Sequence, residues 1–344
     1  MDPNNGEILA MVSYPDFDLN NPEDLTHIFS EEKLEEMSAE DKATERNKLW
    51  RNFCVSDAFE PGSTMKPFTV AMGLETGAID GTEGYNCGGY LHVGSHDIYC
   101  HLRTGHGWQT IEDAIANSCN VALMHIADEI GIEDFTKYQR VFGFGQYTGI
   151  DLPSEAYTES LLYTAETMGD TDLATNSFGQ SFNVSMIQMA SAFCSLVNGG
   201  NYYEPHIVKQ IQDENGNVIE NIDPVVLKRT VSEETSTLVK EYMRGVVQNT
   251  AASVADIEGY EVGGKTGTAE KLPREEGNNL VSFIGYAPQE NPEIVVYVIV
   301  DEPNDWDQAQ SSFAVKIASN IMQEVFPYLG ITKTETVDTA ETSE

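Results

Sequence analysis

Three strand-like runs follow one another near the C-terminal end, residues 260–269, 281–287 and 293–300, and a helical pattern over 310–326 closes them off. What precedes them is of another kind. A single strand is predicted over 7–13, and helical patterns then dominate. One runs from Thr64 to a C-cap at Gly77. Another spans 110–118, opened by Thr110 and Asp113 as a capping box. Further helices are predicted over 121–130, closed by Gly131, over 184–197, ending at Asn198-Gly199-Gly200, and over 232–248. One early strand, helices through the middle, and antiparallel strands with a helix at the end define an α+β chain.

The remaining segments read as accessories. Residues 30–48 are charged and helix-favouring, an exposed helical insertion. Residues 81–109 are rich in Gly, His and Tyr, with little periodicity, and read as loop and short strand. Residues 153–177 form a long polar connection, and connections of that length are often functional. Residues 208–222 read as a hairpin turning at Asn215-Gly216. From 330 to 344 the chain is Thr- and Glu-rich and predicted to be disordered. No internal repeat is evident.

Composition excludes several function classes. At 344 residues, 40% hydrophobic and 9% aromatic, the chain has the material for a sizeable core. Its 56 acidic and 19 basic residues give a formal charge of −37. Such a field repels nucleic acid and anionic lipid, so neither is an expected partner. Any site for an anion must concentrate positive charge against this background. No run reaches the ~20 apolar residues of a membrane helix, and no signal peptide follows Met1. The opening Asp2-Pro3-Asn4-Asn5-Gly6 reads like the inside of a domain, which predicts further sequence upstream.

Three short motifs carry the chemistry. Ser63-Thr64-Met65-Lys66 sits at a helix start, where residues three apart share a face. The lysine amine and the serine hydroxyl can therefore meet. A serine needs a base to become a nucleophile, and a lysine serves if burial depresses its pKa. Pro61-Gly62 and Pro67 confine the motif to the first turn, where proline is tolerated. Ser118-Cys119-Asn120 lies at a helix junction, with a hydroxyl to relay a proton and an amide that both donates and accepts. Lys265-Thr266-Gly267-Thr268 reads as a strand of small side chains, open to an extended peptide and able to bind its carboxylate. Each motif alone is commonplace: a chance helix, a pair of caps, an edge strand. Together, in this order, they form the signature set of serine acyl enzymes that react with penicillin.

On these residues the sequence resembles the transpeptidase domain of class B penicillin-binding proteins, of the division or sporulation type, over roughly residues 1–327. The resemblance extends to Asp2-Pro3 with Gly6-Glu7-Ile8-Leu9-Ala10-Met11, to Phe59-Glu60-Pro61-Gly62 before the nucleophile, and to Gly105-His106-Gly107. It also takes in Ser177-Phe178-Gly179-Gln180, Asn198-Gly199-Gly200 and Phe283-Ile284-Gly285-Tyr286-Ala287-Pro288. It implies an antiparallel sheet flanked by helices with an all-helical subdomain, the transpeptidase domain filling 1–329. It implies Ser63 as acylated nucleophile, Lys66 as base, Ser118 as proton relay, and Asn120 as a substrate contact that orders Lys66. Lys265, Thr266, Gly267 and Thr268 would engage the substrate carboxylate, and the N–H groups of Ser63 and Thr268 an oxyanion. The implied reaction is D,D-transpeptidation of peptidoglycan stem peptides on lipid-linked wall precursor strands, inhibited by β-lactam antibiotics. The implied partner is a wall-synthesis glycosyltransferase, and the implied place the extracytoplasmic face of the cell membrane. The family's membrane helix and pedestal domain are not seen in this sequence, and Gln310-Ser311-Ser312-Phe313-Ala314 fits the family less closely than the strands before it.

Two other readings share these motifs. A β-lactamase would hydrolyse the acyl-enzyme quickly, but no motif identifies a group to activate the water. A non-catalytic β-lactam sensor or scaffold would keep the site without turnover. No cofactor is expected. No metal is expected either: Cys54, Cys87, Cys100, Cys119 and Cys194 form no CxxC pair, and His92, His96, His101 and His106 match no common zinc spacing. Cys119 reads as a small buried residue. Cys87 and Cys100 stand as a disulfide in an oxidising compartment or as two free thiols.

Overall fold

The computed structural model describes residues 1–333; the tail expected to be disordered falls, from residue 334, outside the described residues. The strands Gly263–Glu270, Asn279–Ala287 and Ile294–Asp301 pair antiparallel in that order. Their register is unbroken from Gly263↔Tyr286 to Glu270↔Asn279, and from Leu280↔Asp301 to Ala287↔Ile294. The middle strand is buried from Leu280 to Ala287, as a continuous apolar run demands. The helix Ser312–Leu329 covers the middle and outer strands, and the helix Glu233–Asn249 packs against the strand that carries Lys265. At Met1 the chain lies along the outer strand: Met1 N donates to Val295 O at 2.9 Å and Val295 N returns a bond to Met1 O at 2.8 Å.

The helix Lys66–Thr76 occupies the middle of the core, and Lys66 to Gly73 are all buried. Its sequence has few polar side chains to solvate, so it must be covered on every face. The helix Asn120–Ile130 lies against it, as does the helix Glu233–Asn249. Phe68 anchors the contact, with ring centroids 4.9, 5.4 and 6.4 Å from Phe142, Phe144 and Phe193. Aromatic pairs in edge-to-face geometry each contribute about 0.5–1.5 kcal/mol beyond area burial. The helix ends where Gly77 takes φ +69°, the left-handed cap that glycine adopts without penalty.

The structure departs from the sequence expectations in three places. Residues 7–13 form no strand. Glu7 makes a single bridge with His206, Ile8 N donates to His206 O at 2.8 Å, and Leu9 and Val12 are exposed. Ile8 and Met11 are half-buried against Cys54, Val55, Ile150 and Ile187, but the segment pairs with no strand. The polar connection 153–177 contains a 3-10 turn, Glu159–Leu161, and a helix, Asp170–Asn176. That helix is held by its cap, Gly169 N donating to Asp172 Oδ2 at 3.0 Å, and by buried Leu173 and Ala174, too few apolar residues to signal a period. A further helix, Ile132–Val141, follows Gly131 directly. The insertion is helical and exposed, as two helices, Glu31–Glu36 and Ala39–Leu49. Ser30 and Ser38 cap their N-termini, and Met37 takes extended backbone between them.

Candidate active site

Three segments distant in sequence meet backbone to backbone around Ser63. Gly62 opens a 3-10 turn, Gly62–Met65, at φ +55°, and a Cβ there would lie 2.5 Å from Thr268 O. Gly179, at φ +88°, would place a Cβ 1.9 Å from Gly62 O, while Gly62 N donates to Gly179 O at 2.9 Å. Only glycine allows approaches this close. The Ser63 turn is thus clasped between the Ser177-Phe178-Gly179-Gln180 segment and the strand bearing Lys265. Thr69 Oγ1 adds a bond to Ser177 O at 2.8 Å. Ser63 is half-buried on the open side of this junction, and Thr266 and Thr268, alternating along their strand, are half-buried as well.

The second motif supplies the third wall. Ser118 sits between two helices, Ile111–Ala116 and Asn120–Ile130, at φ +52°. A non-glycine residue in that region costs about 1–3 kcal/mol and persists where its surroundings enforce it. Here they do: Cys119 N donates to Ala114 O at 2.8 Å, and Lys66 Nζ reaches Ser118 O at 2.5 Å. The same amine donates to Ser118 Oγ at 3.0 Å and to Asn120 Oδ1 at 2.8 Å. Lys265 Nζ arrives from the other side, 3.2 Å from Ser118 Oγ and 3.2 Å from Thr266 O. One serine hydroxyl therefore accepts from both buried lysines. With both lone pairs engaged, its own proton is left to donate into the cleft.

Both amines are pushed away from their ordinary basicity. Burial lowers Lys66 to about 8, and the thiol groups of Cys100 and Cys119 pull it partway back. Burial also lowers Lys265 well below the usual lysine range, and the neighbouring charge of Lys66 adds to the effect. Two ammonium groups sharing one hydroxyl in a dry site disfavour each other. The arrangement thus holds two buried amines on one serine hydroxyl, that of Ser118, with Ser63 one turn before Lys66.

Other contacts brace this core. Asn120 Nδ2 donates to Tyr99 O at 3.2 Å, and Thr268 Oγ1 to Ala309 O at 3.3 Å, tying the cleft to the end of the strand His96–Tyr99 and to the loop at Ala309. Glu60 receives both of its oxygens' bonds from Arg274 Nη2, at 3.1 and 3.0 Å, and a third from Ser181 N at 2.9 Å. Sequence reading gave Glu60 no role beyond its place before Pro61, and Arg274 carried no local signal at all. A concavity of about 590 Å³ lies elsewhere, lined by Glu75, Tyr138, Arg229 and Ser232 among others, with none of the motif residues in it.

The four histidines between 92 and 106 do not gather at one point: His92 pairs with Asp97 at 2.7 Å on the surface, while His106, its ring 5.1 Å from that of His101, turns inward to three sulfurs. Cys87, Cys100, Cys119 and His106 bring their ligand atoms within 4.8 Å of one another, all three cysteines being free thiols. Cys119, expected only as a small buried residue, is thus a shared wall between this group and the Ser118–Asn120 motif.

The structure thus brings together a serine at the head of a buried helix, a lysine one turn on whose pKa burial lowers, and a second buried lysine on a flanking strand. The comparisons with known proteins agree. The penicillin binding protein transpeptidase domain matches residues 1–323, and the chain belongs to that family. It is 37% identical over 336 residues, 96% of its length, to stage V sporulation protein D of Bacillus subtilis (strain 168), of which it covers 49%. It is 28% identical to the peptidoglycan D,D-transpeptidase MrdA of Acinetobacter baumannii, covering 97% of this chain and 50% of that protein. Among solved structures, the D,D-transpeptidase domain of a peptidoglycan glycosyltransferase from Eggerthella lenta superposes with a TM-score of 0.82 at 25% identity, over 96% of this chain and 77% of that one. The chain spans about half the length of the curated relatives it matches.

Proposed function

We propose that this domain is a serine D,D-transpeptidase that cross-links peptidoglycan stem peptides through an acyl-enzyme on Ser63, and that β-lactams acylate the same hydroxyl. The observation that carries the reading is the Ser118 hydroxyl held between Lys66 and Lys265. In the free site the two lysines compete for charge. A substrate carboxylate beside Lys265, Thr266 and Thr268 stabilises the Lys265 ammonium. That ammonium in turn favours the neutral amine on Lys66. Substrate binding thereby readies its own base.

The steps follow from that charge arrangement. Lys66 takes the Ser63 proton as Oγ attacks the carbonyl carbon of the penultimate D-Ala. The oxyanion is met by the N–H groups of Ser63 and Thr268, whose segments come into contact at Gly62. The C–N bond to the terminal D-Ala breaks, and its nitrogen receives the proton from Lys66 by way of Ser118. A stem-peptide amine from a neighbouring strand then attacks the ester, gives up its proton along the same route, and returns Ser63 to its hydroxyl form. Cell-wall chemistry of this kind is extracytoplasmic, so the proposed location is the outer face of the cell membrane. The proposed partner is a wall-synthesis glycosyltransferase.

A labelled penicillin followed by intact-mass spectrometry tests the reading. The expected result is one adduct per chain on Ser63, stable for hours and absent in Ser63→Ala. An adduct lost within seconds would instead make the domain a β-lactamase. No adduct in a folded protein would leave a scaffold.

A further inference from the structure

We propose that Arg103, stacked on Tyr99 beside Asn120, is a subsite for a second carboxylate on the substrate peptide, upstream of its D-Ala-D-Ala end. The inference deepens the proposed function and rests on it. Among the described residues, Arg103 is the one arginine of seven whose side chain makes neither a hydrogen bond nor an ion pair. The other six hold carboxylates or a backbone carbonyl. The Arg103 guanidinium lies instead 4.0 Å over the Tyr99 ring, and the Tyr90 and Tyr99 centroids stand 5.8 Å apart. Stacking on a ring fixes the plane of the guanidinium. Its N–H edge is left open to a bidentate carboxylate.

The charge around it favours an anion, against the trend of the chain. Acidic residues outnumber basic ones 56 to 19 overall. Residues 84–110 hold a single acidic residue, Asp97, with four histidines and Arg103. Asp97 is itself taken up by His92 at 2.7 Å. The acidic field that repels anions is therefore relieved at this patch.

The hairpin fixes where the patch lies. Tyr90↔Tyr99 and His92↔Asp97 are cross-strand pairs of the strands Tyr90–Val93 and His96–Tyr99, so the four side chains share one face. That face is exposed, while Leu91, Val93 and Ile98 on the other pack against the core. Tyr99 O accepts from Asn120 Nδ2 at 3.2 Å, and Asn120 Oδ1 accepts from Lys66 Nζ at 2.8 Å. One side chain thus separates Lys66 from the strand that carries the aromatic pair. Lys265 meets the same motif at Ser118. The Ser118–Asn120 motif therefore touches the Lys265 site through its first residue and the Arg103 patch through its last. An extended peptide with its terminal carboxylate at Lys265 and a second one a few residues upstream would meet both cations. Arg103 selects the peptide and takes no part in acyl transfer.

The test uses the whole chain and pairs of synthetic peptides ending in D-Ala-D-Ala. Within a pair, one residue placed one to three positions before that end carries either a side-chain carboxylate or the matching carboxamide. Equilibrium binding to Ser63→Ala protein reads the subsite without turnover. The best-placed carboxylate peptide should bind about tenfold or more tightly than its carboxamide counterpart. Adding Arg103→Ala should erase the difference, and Arg103→Lys should keep only part of it. The advantage should shrink as salt is raised. Equal binding within every pair, or a preference that survives Arg103→Ala, would overturn the subsite. Inorganic pyrophosphate that binds through Arg103 more tightly than the carboxylate peptide would reassign it to a phosphate and overturn the carboxylate. Benzylpenicillin, with one carboxylate only, reports separately on the cleft. Its acylation rates in otherwise wild-type protein and in Arg103→Ala should agree within about twofold. A parallel loss of penicillin acylation would make Arg103 a support of the cleft and overturn its role in selection. Wild-type protein that takes no penicillin on Ser63 would sink the transpeptidase reading, while the binding comparison still decides the subsite.

Discussion

The helix Lys66–Thr76 and the hairpins between Gly84 and Thr110 both touch the Ser118–Asn120 motif, but they are held in different ways. Lys66–Thr76 is immobilised by core packing: eight consecutive residues from Lys66 to Gly73 are buried. The hairpins alternate exposed with half-buried or buried residues and own little core. What they have is the sulfur and imidazole cluster beneath them. A packed helix tolerates changes at its rim and fails when its close contacts are filled. Loops gathered on a few buried side chains tolerate changes on their faces and fail when one of those side chains is lost. The comparison therefore predicts where substitutions hurt and in what currency of measurement they register.

The largest effect is expected at the base. Lys66→Ala should reduce the penicillin acylation rate by about 10²–10⁴-fold, the usual range for removal of a general base, while the protein still folds, since a buried cation is removed together with its desolvation penalty. Stopped-flow or quenched acylation with a chromogenic β-lactam measures it. Retention of more than a tenth of the wild-type rate would mean that another group takes the Ser63 proton, and Lys265 would be the first to examine.

Next comes the clasp. Gly179→Ala places a methyl group 1.9 Å from Gly62 O on a residue at φ +88°. Both the clash and the backbone conformation oppose it, and a loss on the order of 3 kcal/mol is expected. Thermal unfolding reports the stability, and the acylation rate should fall with it because the Ser63 turn must shift. A variant as stable as wild type would show that the clasp is looser than the structure describes.

The pH profile sharpens the helix side of the comparison. Burial lowers Lys66 to about 8, and only the neutral amine can accept the Ser63 proton. Acylation should therefore rise with pH up to about 8 and level off above it. Between pH 6 and pH 8 the neutral fraction grows from about 1% to about 50%, so the rate should increase about fifty-fold. A flat profile over that interval would mean Lys66 is already neutral at pH 6 or is not the base.

How much of this was legible beforehand depends on distance along the chain. Ser63 with Lys66, Ser118 with Asn120, and Lys265 with Thr268 each sit within a few residues of one another, and their local elements were readable from turn and cap signals. The Gly77 cap, the Thr110 capping box and the three final strands were readable for the same reason. Cys87, Cys100, His106 and Cys119 each lie too far apart for any spacing rule. Their convergence depends on Gly89 and Gly105, which allow two loops to touch. Arg274 meets Glu60 across 214 positions, and nothing local marks it. The strand expected at 7–13 failed for a related reason: alternation predicts a strand only where a sheet stands ready to receive it, and here only Glu7 finds a partner. The helix Asp170–Asn176 was hidden by polarity, its stability coming from a cap and two buried side chains instead of an apolar stripe.

A smaller effect is expected at the brace. Arg274 is a third exposed on its side chain and Glu60 about a tenth. Arg274→Ala leaves Glu60 its bond from Ser181 N, so the carboxylate is not orphaned. A partly exposed pair of this kind is worth about 1 kcal/mol or less, visible as a Tm lower by about 2–4 °C at most for a chain of this size. The acylation rate should drop a few-fold, because the pair joins the segment before Ser63 to the loop after the Lys265 strand. A hundred-fold drop with unchanged Tm would give Arg274 a direct part in substrate binding.

The smallest effect is expected in the insertion. Lys48 and Glu45 form an ion pair at 2.7 Å, three residues apart on the helix Ala39–Leu49, with the lysine two-thirds exposed. That helix buries only Leu49, so its other side chains have water as a ready substitute partner, and salt screens what attraction remains. Lys48→Ala should change stability by less than about 0.5 kcal/mol and leave acylation untouched. Alanine is also the stronger helix former, which offsets part of the lost pair. The Lys48→Ala measurement bears on the comparison because it tests a third way of holding a segment, with neither a packed core nor a buried side-chain cluster. If Tm fell by several degrees, the insertion would have to pack on the domain more firmly than its exposed face allows, and its separation from the site would need to be redrawn.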